Sequence, residues 1–151
     1  MSSFFDYGNP TESHHSGFVL FAGRDPKDWE TLIAAMERRR FRQGDTILEA
    51  GESDRSLYVL SDGTVEVLVA GRRGTKRTGI METGAVFGEV AFFDGRPRSA
   101  TVRALSDGEL LRLGYDEWEL LTARHPELGR ALLLDLGSLM ASRLRAIEQR
   151  L

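Results

Sequence analysis

The spacing of apolar positions changes period twice along this chain. Trp29, Leu32, Ile33 and Met36 fall at offsets of three, four and seven, one face of an amphipathic helix predicted over about 26–37. Asp25 and Pro26 before them suit an N-cap and a first helical position. From residue 39 the period shortens: RFRQGDTILEAGESDRSLYVLSDGTVEVLV holds short β-prone runs broken by Gly and Asp. Asp62-Gly63, between SLYVL and TVEVLV, predicts a hairpin. Gly71 to Gly74 predicts a second turn and Gly84 a third, and Ser106-Asp107-Gly108 predicts another hairpin between RSATVRAL and ELLRL. The pattern is that of a mainly β fold with flanking helices: an eight-stranded antiparallel jelly-roll barrel. Helical spacing returns near Tyr115, where Asp116 and Glu117 suit a helix N-terminus. Pro126 opens a longer helix. On it Leu133, Met140, Leu144, Ile147 and Leu151 form a seam that fits a second helix, such as a second copy of the chain.

Residues 1–17 are polar and turn-rich, so a flexible arm is expected there, followed by one domain over 18–151 with a helical lid from about 115 to 151. A formal charge of -3 argues against a chain that binds nucleic acid over its whole surface. The chain has no cysteine, hence no disulfide and no thiolate chemistry, which is compatible with a cytoplasmic setting. No run approaches the roughly 20 apolar residues of a membrane helix, and the N-terminus lacks a signal-peptide pattern. The histidines are His14, His15 and His125, none on a predicted strand, so a metal site of facing strand histidines is not expected. No serine sits in a nucleophile elbow. An enzyme is therefore not expected.

The stretch FGEVAFFDGRPRSATV, residues 87–102, carries the chemistry. Gly88 permits close approach of the backbone, and amides at a short helical turn over Gly88, Glu89, Val90 and Ala91 attract an anion. Glu89 is repelled by an anion but accepts hydrogen bonds from sugar hydroxyls. Arg98 is a planar donor matched to a phosphate diester, with Ser99 and the Ala100 amide as further donors. A phosphate and a ribose hydroxyl held together describe a cyclic nucleotide. The alternative for Arg98 is a purely structural salt bridge with Glu89.

These residues resemble the phosphate-binding cassette of the cyclic-nucleotide-binding domain family, F-G-E-aliphatic-A followed by R-S/T/A-A-x-V, with every position filled. The resemblance runs over about residues 19–151. It implies a sensor that binds cAMP, with cGMP as second candidate, and no other cofactor. Gly88 and Glu89 would meet the ribose, and Arg98, Ser99 and Ala100 the phosphate. Thr78 and Ile80 would line the base pocket, and Arg143 or Arg145 on the last helix would cap the base. It also implies an effector protein as partner, of unknown identity, signalling through the last helix. Regulators of the catabolite activator type follow that helix with a DNA-binding domain, which this chain does not contain. The chain is then a stand-alone sensor or the sensor half of a truncated transcription regulator. A third reading is an interaction module that has lost its ligand.

Overall fold

The computed structural model describes residues 24–151, so the arm expected over 1–17, the domain start at 18 and the pair His14-His15 lie outside the described residues. Helix α1 (Pro26–Ala34) begins as the sequence predicts. The Asp25 carboxylate accepts from the Lys27 amide at 3.0 Å, and Pro26 fills the first turn. It stops short of residue 37 because Glu37 already pairs with Arg112 in a sheet.

Eight strands follow: β1 (Glu37–Phe41), β2 (Thr46–Leu48), β3 (Ser56–Asp62), β4 (Thr64–Gly71), β5 (Gly74–Glu82), β6 (Val86–Phe87), β7 (Thr101–Ala104) and β8 (Gly108–Gly114). They form two antiparallel four-stranded sheets, in the orders β1-β8-β3-β6 and β2-β7-β4-β5. The expected eight-stranded antiparallel jelly roll is present; no ladder joins the edges of one sheet to those of the other, so it is a sandwich of two sheets rather than a closed barrel.

The predicted Gly71–Gly74 turn forms, and it closes a hairpin of β4 with β5 across Arg72-Arg73. The two Asp-Gly turns do not make theirs. β3 and β4 lie in different sheets, as do β7 and β8, so each of these turns carries the chain across the sandwich. The turns pack together at one end. A Cβ on Gly108 would collide with the Asp62 carbonyl oxygen and the Phe41 ring, so close approach requires glycine there.

The core has two layers. Phe41, Leu48, Leu60, Val65, Val67, Met81, Phe87 and Leu110 fill the space between the sheets. Leu32, Leu57, Val59, Leu113, Leu121, Leu132 and Leu136 fill the space between the first sheet and the helices. β3 is buried on both faces, Tyr58 and Leu60 toward one layer and Leu57 and Val59 toward the other. That double burial is why SLYVL is a continuous apolar run. β4 alternates instead, with Val65 and Val67 inward and Glu66 on the outer face. Glu66 is nevertheless buried, beneath Arg77 of β5 and Arg103 of β7, each donating through Nε and NH2 at 2.5 to 3.0 Å. Burial alone would push this carboxyl up, but the bonds from Arg103 and Arg77 outweigh it and hold it below the usual range.

Three further helices complete the domain: α2 (Glu89–Asp94), α3 (Tyr115–Arg124) and α4 (Pro126–Glu148). Leu128, Ala131, Leu132 and Leu136 bury one face of α4, and Leu133 leans on the same layer. Of the predicted seam Leu133 alone leans on the core; Met140 and Ile147 are half-buried and Leu144 is exposed, so the exposed row of α4 coincides with that seam only in part. It runs through Leu134, Gly137, Ala141 and Leu144, with Leu134 60% exposed and Leu144 45%, and Leu151 lies exposed beyond the end of the helix.

Candidate functional site

β6 ends at Phe87, and Gly88 then turns the chain into α2 with φ +82°. A side chain here would be strained and crowded, because a Cβ would lie 2.9 Å from both Arg98 NH1 and the Ser56 carbonyl oxygen. Crossing the site, Arg98 NH1 donates to the Gly88 carbonyl at 2.8 Å, and NH2 donates to the Ser56 carbonyl at 2.7 Å and to Asp54 Oδ2 at 3.2 Å. The loop before β3 fixes the Arg98 backbone from both sides, with Arg98 N bonded to the Glu52 carbonyl and Gly51 N to the Arg98 carbonyl. The guanidinium is thus buried on a prebuilt support, and only its Nε, also buried, has no partner.

Asp54 also accepts from the Tyr58 hydroxyl at 2.6 Å. Burial pushes its carboxyl up, but the Tyr58 hydrogen bond and the Arg98 charge prevail and hold it below the usual range. Tyr58 is pushed up to about 12 by burial, by its bond to Asp54 and by that carboxylate's charge.

Glu89 is completely buried at the start of α2. Its Oε1 accepts from Arg143 NH1 at 2.6 Å, while Oε2 is buried without a partner. Arg143 NH2 donates to the Val86 carbonyl at 2.7 Å, so α4 is fastened across the cassette by one side chain. The pairing of Glu89 with Arg98 is not formed; each has its own counter-ion.

The structure joins Gly88, Glu89, Arg98 and Arg143 by these contacts. Val90 is half-buried and Ala91 buried within α2. Ser99 is exposed, and Ala100 packs against the layer between the sheets. Arg145 is exposed. Thr78 is the extra residue of a bulge in β5, between the pairs Val67–Gly79 and Leu68–Arg77, and its buried hydroxyl has no partner. Ile80 stands opposite Glu66, on the outer face and away from Val65 and Val67. Asp54, Ser56 and Tyr58 are the site residues that the sequence did not single out. A local signal existed only for Tyr58, within the apolar run of β3. A groove of about 520 Å³ between α1 and α3, lined in part by Ala34, Leu120 and His125, shares no residue with this cluster.

A buried carboxylate oxygen without a donor and a buried guanidinium nitrogen without an acceptor are complementary to a hydroxyl and an anionic oxygen. Among the described residues no cluster of three metal-ligating side chains occurs, and no helix is long and apolar enough to cross a membrane.

Comparison with known proteins agrees with this chemistry. The profile described as "Cyclic nucleotide-binding domain" matches residues 38–125. The chain is 31% identical over 133 residues to the "Cyclic AMP receptor protein" of Thermus thermophilus, covering 87% of this chain and 60% of that protein. It is 32% identical over 124 residues to the "cAMP-activated global transcriptional regulator Vfr" of Pseudomonas aeruginosa, covering 79% of this chain and 56% of that one. The chain thus spans about 60% of the length of these curated relatives. The crystal structure of Thermus thermophilus catabolite activator protein superposes with TM-score 0.79 at 28% identity, over 87% of this chain and 61% of that one. A cyclic nucleotide-binding domain from Methylobacillus flagellatus superposes with TM-score 0.82 at 24% identity, over 95% and 85% of the two chains, and attests the fold.

Proposed function

The chain belongs to the cyclic nucleotide-binding domain family, and from that premise we propose that it is a sensor for cAMP that reports occupancy through α4. The observation that carries this reading is the pair of unpartnered buried atoms, Glu89 Oε2 and Arg98 Nε. In this reading Glu89 Oε2 accepts from a ribose hydroxyl while Oε1 stays with Arg143. Arg98 Nε donates to the cyclic phosphate, with Ser99 and the Ala100 amide at its edge. Val90 and Ala91 shape the turn, and Thr78 offers its hydroxyl to the base. Arg143 then acts on the cassette carboxylate rather than on the base.

Occupancy is transmitted only if the ligand favours one placement of α4 over another. The fastening of Arg143 to Glu89 supplies the element whose balance a ribose would shift. The exposed row Leu134, Gly137, Ala141, Leu144 supports a helix-to-helix contact with a second copy, since small residues at its centre allow close approach. The relatives' names support cAMP as ligand and a place within a transcription regulator as one setting for such a module. A chain without cysteine fits a cytoplasmic one.

Thermal unfolding with cAMP, cGMP and linear 5′-AMP tests the ligand. At a hundredfold excess over Kd a ligand adds about 2.7 kcal/mol of stability. For a chain of this size that raises Tm by roughly 5–11 °C. cAMP is expected to do so and 5′-AMP to do nothing. A larger rise with cGMP would move the base assignment, and no rise with either cyclic nucleotide would overturn the reading.

A further inference from the structure

Arg55, immediately before β3, makes contacts for which the ligand reading has no use. Its Nε donates to the Phe92 carbonyl at 2.8 Å and its NH2 to the Phe93 carbonyl at 2.9 Å. Both carbonyls belong to the last turn of α2, where the helix supplies too few donors of its own. The same guanidinium lies 3.7 Å from the centroid of the Tyr115 ring, and the Arg55 carbonyl accepts from the Tyr115 amide at 3.1 Å. Tyr115 is the first residue of α3. One residue therefore holds the end of the cassette helix and the start of the helix that leads into α4.

The packing beneath it joins the same two elements. The Phe92 ring stands 5.6 Å from Tyr115 and 5.9 Å from Trp118, and those two rings are 5.4 Å apart. Apolar packing of this kind tolerates sliding. Two hydrogen bonds in a fixed fork do not, because their strength falls steeply with angle.

We propose that Arg55 is the positioning residue through which displacement of α2 reaches α3 and then α4. The proposal rests on the reading that α2 is part of a cyclic-nucleotide site. Arginine suits the role because its planar fork binds two successive carbonyls while its face stacks on a ring. The ammonium of lysine is a point charge and cannot do both. A passive staple would stabilise the fold equally with and without ligand and leave transmission unchanged.

The chain has two tryptophans, Trp29 and Trp118, so 5-fluorotryptophan labelling gives two 19F resonances, assigned with Trp29→Phe. The full chain and Arg55→Gln are titrated with cAMP to saturation, with saturation verified by calorimetry. In the unmodified chain cAMP is expected to shift the Trp118 resonance. In Arg55→Gln at saturation the shift is expected to fall below about a third of that value, the mark of lost coupling rather than lost occupancy. Should Arg55→Gln fail to fold, Arg55→Lys keeps the charge without the fork and carries the same test. Saturable binding with an undiminished Trp118 shift in the variant overturns this inference alone. So does binding to the unmodified chain with no Trp118 response. Absence of binding by the unmodified chain overturns the ligand reading and this inference with it.

Discussion

Replacing Arg143 by alanine tests whether α4 is fastened to the cassette. The side chain donates at 2.6 Å to Glu89 Oε1 and at 2.7 Å to the Val86 carbonyl. Its partner Glu89 is 0% exposed, and the Arg143 side chain is 16% exposed. Hydrogen bonds to charged groups contribute about 1.5–3 kcal/mol each, and removing one member of a buried ion pair costs about 3–5 kcal/mol. Water entering the space vacated by Arg143 offsets part of this, which leaves an expected loss of about 3 kcal/mol. For a domain of this size the corresponding fall in Tm is about 6–12 °C. Urea and thermal unfolding measure it. Glu89→Gln and the double variant complete a cycle in which the coupling energy should exceed about 1 kcal/mol, since the two residues share one bond. A loss below about 0.5 kcal/mol, the range of an ordinary surface substitution, or additive single effects would show that Arg143 does not fasten α4 to the cassette.

Two further outcomes follow from the same geometry. Glu66→Gln is expected to cost about 1.5–3 kcal/mol at neutral pH, because both arginines lose a charged acceptor. The folded-state pKa of Glu66 lies below its ordinary value of 4.5, so its contribution is fully present above that value and is lost as pH falls through the depressed one. Urea unfolding should therefore show a constant gap between variant and parent from neutral pH down to about 5 and a closing gap below 4.5; a gap that does not change with pH contradicts the assignment. Gly88→Ala must adopt φ +82° and place its Cβ 2.9 Å from Arg98 NH1 and the Ser56 carbonyl oxygen. It is expected to lose about 1–3 kcal/mol of stability and to weaken cAMP binding at least tenfold, read by calorimetry on the folded fraction; unchanged affinity would remove Gly88 from the site.

The elements were legible where local rules decide them. The cap at Asp25, the turn from Gly71 to Gly74 and the apolar strand run of β3 are each written in a few adjacent residues. Partner choice was not. Asp-Gly permits a tight reversal, but which sheet the next strand joins is set by contacts far along the chain, such as Gly108 against Asp62 and Phe41. The cassette was legible because Gly88, Glu89 and Arg98 sit within one segment. Its supports were not: Asp54 and Arg55 lie in an ordinary polar turn, and no local pattern links Arg143 to Glu89. Thr78 and Ile80 differ by two positions and so share a face only in a regular strand. The bulge at Thr78 adds a residue and reverses that parity, which turns Ile80 outward beside Glu66.

Whether a cyclic nucleotide binds through Arg98 is decided by calorimetric titration of cAMP into the unmodified chain and Arg98→Lys side by side. Lysine keeps the charge but replaces the planar fork, whose separate nitrogens serve the Gly88 and Ser56 carbonyls, with a single ammonium nitrogen. Micromolar or tighter binding is expected for the parent and at least tenfold weaker binding, about 1.4 kcal/mol, for a folded Arg98→Lys. Equal affinity in the two proteins, or no binding by the parent, would contradict binding through Arg98.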